Sequence, residues 1–233
     1  MRAEINHIFF DLDNTLWDFD SNSRKVISDL FHENNLQLRC GVEFSIFLSR
    51  YEKINHLLWE KLRMSEITKE QLRSSRFYNS MQFFGYDDYE LGYRLEEEYV
   101  KRSPYQNILL PDTINVLENL HKKYELHIIT NGFKEVQYVK LNNCNLINYF
   151  SNIFISEEVG YSKPDKRIFE HAISTVGGTK SNSIMIGDDI NVDVNAAKNF
   201  GMRAIHLDNK CIFKDEEIGT IRVNGLKQIL EHL

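Results

Sequence analysis

Five short apolar runs, each ending in polar residues, constrain this chain more than any other feature. Ile8-Phe9-Phe10 runs into Asp11, Leu126-His127-Ile128-Ile129 into Thr130, and Ile153-Phe154-Ile155 into Ser156. Ile184-Met185-Ile186-Gly187 runs into Asp188, and Ala204-Ile205-His206-Leu207 into Asp208. Continuous apolar runs, unlike alternating ones, suit strands covered on both faces, as in parallel sheets. Helical patterns separate the later runs: Pro111 to Lys123, Pro164 to Val176, and Asn191 to Phe200 with Gly201 at the stop position. Strand–helix alternation of this kind predicts an α/β fold built on a doubly wound parallel sheet.

More than a hundred residues separate the first run from the second, far beyond an ordinary crossover. That interval reads as amphipathic helices over 24–34, 43–63, 68–84 and 89–101. The expected organisation is therefore an α/β core formed by 1–16 and 106–233, with an all-helical cap, 17–105, inserted after the first strand. Ser103-Pro104 breaks the helical pattern near the return to the core.

Composition narrows the function classes. A net charge of −6 argues against binding a nucleic acid polymer through a basic surface. The three cysteines, Cys40, Cys144 and Cys211, are widely spaced and lack a Cys-x-x-Cys pair, which suits reduced thiols. No apolar run approaches the ~20 residues of a membrane span, and Met1 to His7 carries no apolar signal core. A cytoplasmic protein acting on a small molecule, away from membranes, is the expectation.

In open α/β sheets, ligands bind beyond the carboxyl ends of the strands. Asp11 and Asp13, Thr130 and Asn131, and Asp188 and Asp189 should therefore converge, with Lys163-Pro164 following the third run. Carboxylates crowded into one crevice must be protonated, paired with Lys163, or bound to a cation. Oxygen donors without nearby His or Cys favour a hard ion, Mg²⁺ being the usual one. A carboxylate is an established nucleophile in phosphoryl transfer. Asp11 and Asp13, at i and i+2, point the same way in an extended chain, so that one attacks and the other protonates the leaving oxygen.

Asp11-Leu12-Asp13-Asn14-Thr15-Leu16, Thr130-Asn131, Lys163-Pro164 and Gly187-Asp188-Asp189 with Asp193 resemble the four ordered motifs of the haloacid-dehalogenase-like hydrolases. The resemblance implies a Rossmann-like core, an aspartyl-phosphate on Asp11, and Asp13 as general acid and base. It implies that Thr130, Asn131 and Lys163 hold the phosphoryl group. Mg²⁺ would be bound by Asp11, the Asp13 carbonyl and Asp188, with Asp189 or Asp193 behind them. Asn14 stands where the family usually has Gly, and Asn tolerates left-handed backbone angles.

Ile54-Asn55-His56-Leu57-Leu58-Trp59, Arg76-Phe77, Thr130-Asn131-Gly132 leading through Gln137 to Leu141, and Ser156-Glu157-Glu158-Val159-Gly160 are similar to bacterial pyrimidine 5′-nucleotidases of that superfamily. This narrower resemblance implies a phosphatase for nucleoside 5′-monophosphates. Trp17, Asn55, Trp59 and Arg76 are then candidates for contacting the base. A sugar-phosphate phosphatase or mutase remains an alternative. A haloacid dehalogenase is disfavoured by Asp13 and the Asp188 cluster, and a noncatalytic binding protein by the intact pair Asp11 and Asp13. His7, His127 and His206, lying in or beside strand runs, are read as structural.

Overall fold

A computed structural model describes residues 4–211 and 220–233; Met1 to Ala3 of the amino-terminal segment read above lie outside it. Its strands are β1 (His7–Phe10), β2 (Glu125–Thr130), β3 (Asn152–Ile155), β4 (Ser183–Gly187), β5 (Arg203–Leu207) and β6 (Ile221–Val223). Its α-helices are α1 (Phe19–Glu33), α2 (Leu36–Cys40), α3 (Phe44–Arg63), α4 (Lys69–Phe83), α5 (Tyr89–Arg102), α6 (Thr113–Leu120), α7 (Lys134–Asn143), α8 (Ser156–Val159), α9 (Lys166–Val176) and α10 (Ala196–Phe200). The chain divides into a sheet unit, Met1–Phe19 with Asn107–Leu233, and a helical unit, Asp20–Gln106.

In the sheet unit all strands are parallel, in the order β3-β2-β1-β4-β5-β6. The apolar runs read from the sequence form the first five. Side chains alternate between faces along a strand, so each run feeds two cores at once. Ile8, Phe10, Ile128, Ile184 and Ile186 enter one cluster. Phe9, Ile129 and Met185 enter the other, against Ile168, Phe169, Ala172 and Ile173 of α9. Two-sided burial is why the runs are uninterrupted.

The chain winds outward from β1 through β2 to β3, then returns to lay β4 on the other flank of β1. Adjacent strands whose connections leave in opposite directions open a crevice at their carboxyl ends. Asp11 follows β1 and Asp188 follows β4, and the Asp11 amide donates to the Ile186 carbonyl at 2.9 Å.

Three features differ from the sequence reading. Strand β6, only three residues long, carries too little apolar signal to be read. Helix α7 likewise leaves no apolar stripe in the sequence, because its buried residues include Gln137 and Lys140. The helix expected over 191–200 is instead a π-helical segment, Ile190–Asn195, running into α10. The wider turn accompanies an inward-pointing Asp193, and such segments concentrate at functional sites. Gly201, at φ 95°, ends α10 in the left-handed conformation expected of a glycine stop.

The helical unit holds the four long helices α1, α3, α4 and α5 around Val26, Phe31, Phe47, Tyr51, Phe77, Leu91 and Leu95. Thr68 and Gln71 form a reciprocal capping box at the start of α4, and Asp88 caps α5 by accepting from the Leu91 amide. Among the described residues no helix is long and apolar enough to cross a membrane.

Candidate active site

The loop after β1 is a tight turn. The amides of Thr15, Leu16 and Trp17 all donate to the Leu12 carbonyl, and the Asn14 amide donates to that of Trp17. Asn14 takes φ 60°, the left-handed conformation anticipated for it. The turn leaves Asp11 buried at 8 % exposure and Asp13 half-buried.

Lys163 is 1 % exposed and sits between two carboxylates, 2.6 Å from Asp11 Oδ1 and 2.6 Å from Asp193 Oδ1. Its backbone is clamped by Asn131, whose Nδ2 donates to the Lys163 carbonyl while its Oδ1 accepts from the Lys163 amide, both at 2.8 Å. The Asn131 side chain is therefore committed to positioning Lys163. The Asn131 main chain directly follows Thr130, the last residue of β2.

The other oxygen of Asp193, Oδ2, accepts from the Asp189 amide at 3.2 Å. The Asp193 carboxylate lies so close to Gly187 that a Cβ there would fall 2.3 Å from it. The glycine of Gly187-Asp188-Asp189 is thus a packing requirement of Asp193. Asp189 faces elsewhere: its Oδ1 accepts from the Asn191 and Val192 amides at 2.8 and 2.9 Å, capping the π-helical segment. Of the two residues left open by the sequence, Asp193 joins the cluster and Asp189 starts the helix.

Carboxylate oxygens of Asp11, Asp188 and Asp193 all lie within 4.8 Å of one another. Burial, reinforced by Asp193 and Asp13 against the opposing Lys163, lifts Asp11 to about 7. Burial, with repulsion from Asp11, Asp193 and Asp189, lifts Asp188 to about 8. For Lys163 burial acts downward, but Asp11 and Asp193 outweigh it and hold the ammonium protonated. Three carboxylates facing one ammonium leave two negative charges in excess, which a divalent cation balances, and an all-oxygen donor set suits a hard ion such as Mg²⁺. The residues fit the metal. Thr15 Oγ1 donates to Asp188 Oδ1 at 3.3 Å, and His206 Nε2 lies 3.0 Å from the Asp188 carbonyl; both restrain that residue.

Asp13 has partners that the sequence did not disclose. Lys140 Nζ meets Asp13 Oδ1 at 2.5 Å, and Gln137 Nε2 donates to Asp13 Oδ2 at 2.9 Å. Gln137 Nε2 also donates to Thr130 Oγ1 at 2.6 Å, and the Gly132 amide adds a second donor at 3.2 Å. With both acceptor positions of the Thr130 hydroxyl used, its own proton is directed outward as a donor. A Cβ at Gly132 would stand 2.2 Å from Gln137 Nε2, so Gly132 makes room for this link. Gln137 and Lys140, three apart on α7, share a helix face, but only the fold reveals that the face is buried against Asp13.

The base-recognition candidates fare unevenly. Trp17 is fully buried in the sheet-unit core, with Lys140 Nζ 4.2 Å above its ring, so it cannot serve as a stacking platform. Arg76 is 5 % exposed and paired with buried Glu96; its Nε donates to Glu96 Oε2 at 3.1 Å, and its Nη1 donates to Asn55 Oδ1 at 3.2 Å. Arg76 is thus an internal tie among α3, α4 and α5, with its guanidinium committed to Glu96 and to the Asn55 carbonyl oxygen. A buried Arg–Glu pair is invisible in sequence because Arg on a helix is usually solvated. Trp59 is half-buried on α3.

A doubly wound parallel sheet with carboxylates and one lysine gathered at its switch-point crevice defines an enzyme of hydrolytic type. The chain belongs to the haloacid dehalogenase-like hydrolases, whose family pattern matches residues 5–201. It is similar to the pyrimidine 5′-nucleotidase YjjG of Escherichia coli, 31% identical over 201 residues covering 84% of this chain and 82% of the relative. It is similar also to the pyrimidine 5′-nucleotidase PynA of Streptococcus pneumoniae, 29% identical over 209 residues covering 87% and 85%. The magnesium-bound crystal structure of the HAD-hydrolase YfnB from Bacillus subtilis shares the fold, with a TM-score of 0.88 over 99% of both chains at 23% identity.

Proposed function

We propose that this enzyme is a Mg²⁺-dependent phosphomonoesterase that works through an aspartyl-phosphate on Asp11 and prefers nucleoside 5′-monophosphates, pyrimidine ones above all. The observation that carries the reading is the division of labour between the two carboxylates of one turn. Asp11 is buried on Lys163 in the crevice, while Asp13 is half-buried and held apart by Lys140 and Gln137. In this reading one carboxylate attacks and the other moves a proton.

In the proposed sequence an Asp11 oxygen attacks phosphorus, the ester P–O bond breaks, and Asp13 delivers a proton to the departing alkoxide. Water then attacks the phosphorus of the acyl phosphate, Asp13 takes its proton, and inorganic phosphate leaves with the Asp11 carboxylate restored. Lys163 and the outward-directed Thr130 hydroxyl stabilise charge on the non-bridging oxygens. Asp11, Asp188 and Asp193 would hold Mg²⁺, directly or by orienting its ligands, and bound Mg²⁺ supplies charge neutralisation at the phosphoryl group. Lys140 and Gln137 are positioning residues for Asp13.

Those groups treat every phosphomonoester alike, so selectivity must come from what surrounds the leaving group. We assign that role to the helical unit as a cap, with Trp59 as the remaining aromatic candidate. The pyrimidine preference is supported by the two nucleotidase relatives. It is tested by comparing kcat/KM for UMP, dTMP, purine nucleotides, sugar phosphates and phosphoglycolate. A sugar phosphate exceeding every nucleotide refutes the substrate assignment and leaves the phosphatase reading intact. Asp11→Asn turning over within tenfold of wild type refutes the covalent mechanism itself.

A further inference from the structure

At the opposite ends of the strands from Asp11 and Asp188, the sheet unit carries a second convergence of ligating side chains. His7 opens β1 and Glu125 opens β2, and the register places them opposite one another. His127 stands two residues beyond Glu125, so the three side chains share one face of the sheet. His7 Nδ1 lies 3.3 Å from His127 Nε2 and 3.6 Å from Glu125 Oε2, and His127 Nε2 lies 4.0 Å from the same oxygen.

A tetrahedral ion bonded to nitrogen and oxygen at ~2.0–2.1 Å spaces neighbouring ligand atoms about 3.3–3.4 Å apart. Two edges of the triangle are close to that spacing. The third closes by rotating Glu125, whose side chain is 61 % exposed and free to move. The imidazoles are held in place: the wholly buried His127 ring packs against Phe9 at 4.8 Å, Phe154 at 6.5 Å and His7 at 5.5 Å between centroids. Two imidazoles and one carboxylate make a borderline donor set that selects zinc-like ions, in contrast to the all-carboxylate cluster at the other end.

We propose that His7, Glu125 and His127 form a binding site for a zinc-type transition-metal ion, separate from the carboxylate cluster, that fastens β1 to β2 at the amino-terminal edge of the sheet. The exposed side of Glu125 gives the ion an entry path and leaves the fourth position to water. Because β1 runs from His7 to Phe10, the site is roughly 13 Å along the strand from Asp11 at ~3.3 Å per residue. Its role is to stabilise the sheet unit, not to take part in turnover.

The test uses the full chain carrying Asp188→Asn, which disables the carboxylate cluster, after dialysis against EDTA. Titration with Zn²⁺ against a chromogenic chelator should show one equivalent bound, and Co²⁺ should give visible bands of tetrahedral intensity. Adding Glu125→Gln or His7→Asn to that background should weaken binding at least tenfold and abolish the rise in melting temperature on adding Zn²⁺. His127 is left unaltered because its ring is core. No Zn²⁺ uptake by the Asp188→Asn chain at micromolar metal, or equal uptake by the Glu125 and His7 variants, overturns the proposal and leaves a His7–Glu125 contact over a buried imidazole.

Discussion

In the absence of a divalent metal this enzyme should become less stable as pH rises, and Asp188→Asn should cancel about half of the effect. Asp188 is lifted from 3.8 to about 8, first by burial and then by Asp11, Asp193 and Asp189. Between those values the folded protein keeps a proton that the unfolded chain has already released. Stability from this source is complete below pH 4 and is lost as pH climbs through about 8. Four pH units correspond to roughly 5 kcal/mol at 1.36 kcal/mol per unit. Protonating Asp188 also relieves Asp11, so the share that disappears with Asp188 is about half, ~3 kcal/mol. For a chain of this size that is about 6–12 °C in melting temperature.

The assay is thermal unfolding in EDTA from pH 5 to 8.5, for wild type and Asp188→Asn. Wild type should fall relative to the variant by about that amount as pH rises. Mg²⁺ should raise the wild-type midpoint far more at pH 8.5 than at pH 5, because at low pH it competes with protons. Parallel melting curves for the two proteins across the whole range would refute the reasoning, as would equal stabilisation by Mg²⁺ at both ends.

Asp13→Asn should slow hydrolysis of a nucleotide, with its basic alkoxide leaving group, more than that of p-nitrophenyl phosphate; equal loss in both, measured at single turnover, contradicts the acid role. Trp17→Ala should cost about 3–5 kcal/mol in chemical denaturation as a core truncation while leaving the ratio of UMP to sugar-phosphate kcat/KM unchanged; a changed ratio would return Trp17 to the substrate pocket. Arg76→Met should destabilise by about 3–5 kcal/mol by stranding the buried Glu96, and adding Glu96→Leu should restore most of that loss in urea melts. A double variant as unstable as the single one would show that the pair is not what matters at that position.

Much of this protein is legible without a structure because its core strands obey a one-dimensional rule. A strand buried on both faces must be apolar throughout, so Ile8-Phe9-Phe10 and Ile184-Met185-Ile186 announce themselves, and residues just beyond such runs fall at the ligand-binding edge of the sheet. Asp11, Asp13, Thr130 and Asp188 were therefore readable as a set, and Asn14 as a residue able to adopt the turn. What tertiary structure alone decided is which polar residues are inside and whom they meet. Lys140 and Gln137 on Asp13, Asn131 on the Lys163 backbone, Arg76 on Glu96, and Asp193 rather than Asp189 beside Lys163 all depend on contacts between segments 20 to 127 residues apart. Apolar burial leaves a periodic trace along the chain because every residue on a face responds to the same solvent. A polar pair leaves none: its energy depends on one partner, at one distance, on a segment whose approach only the folded chain determines.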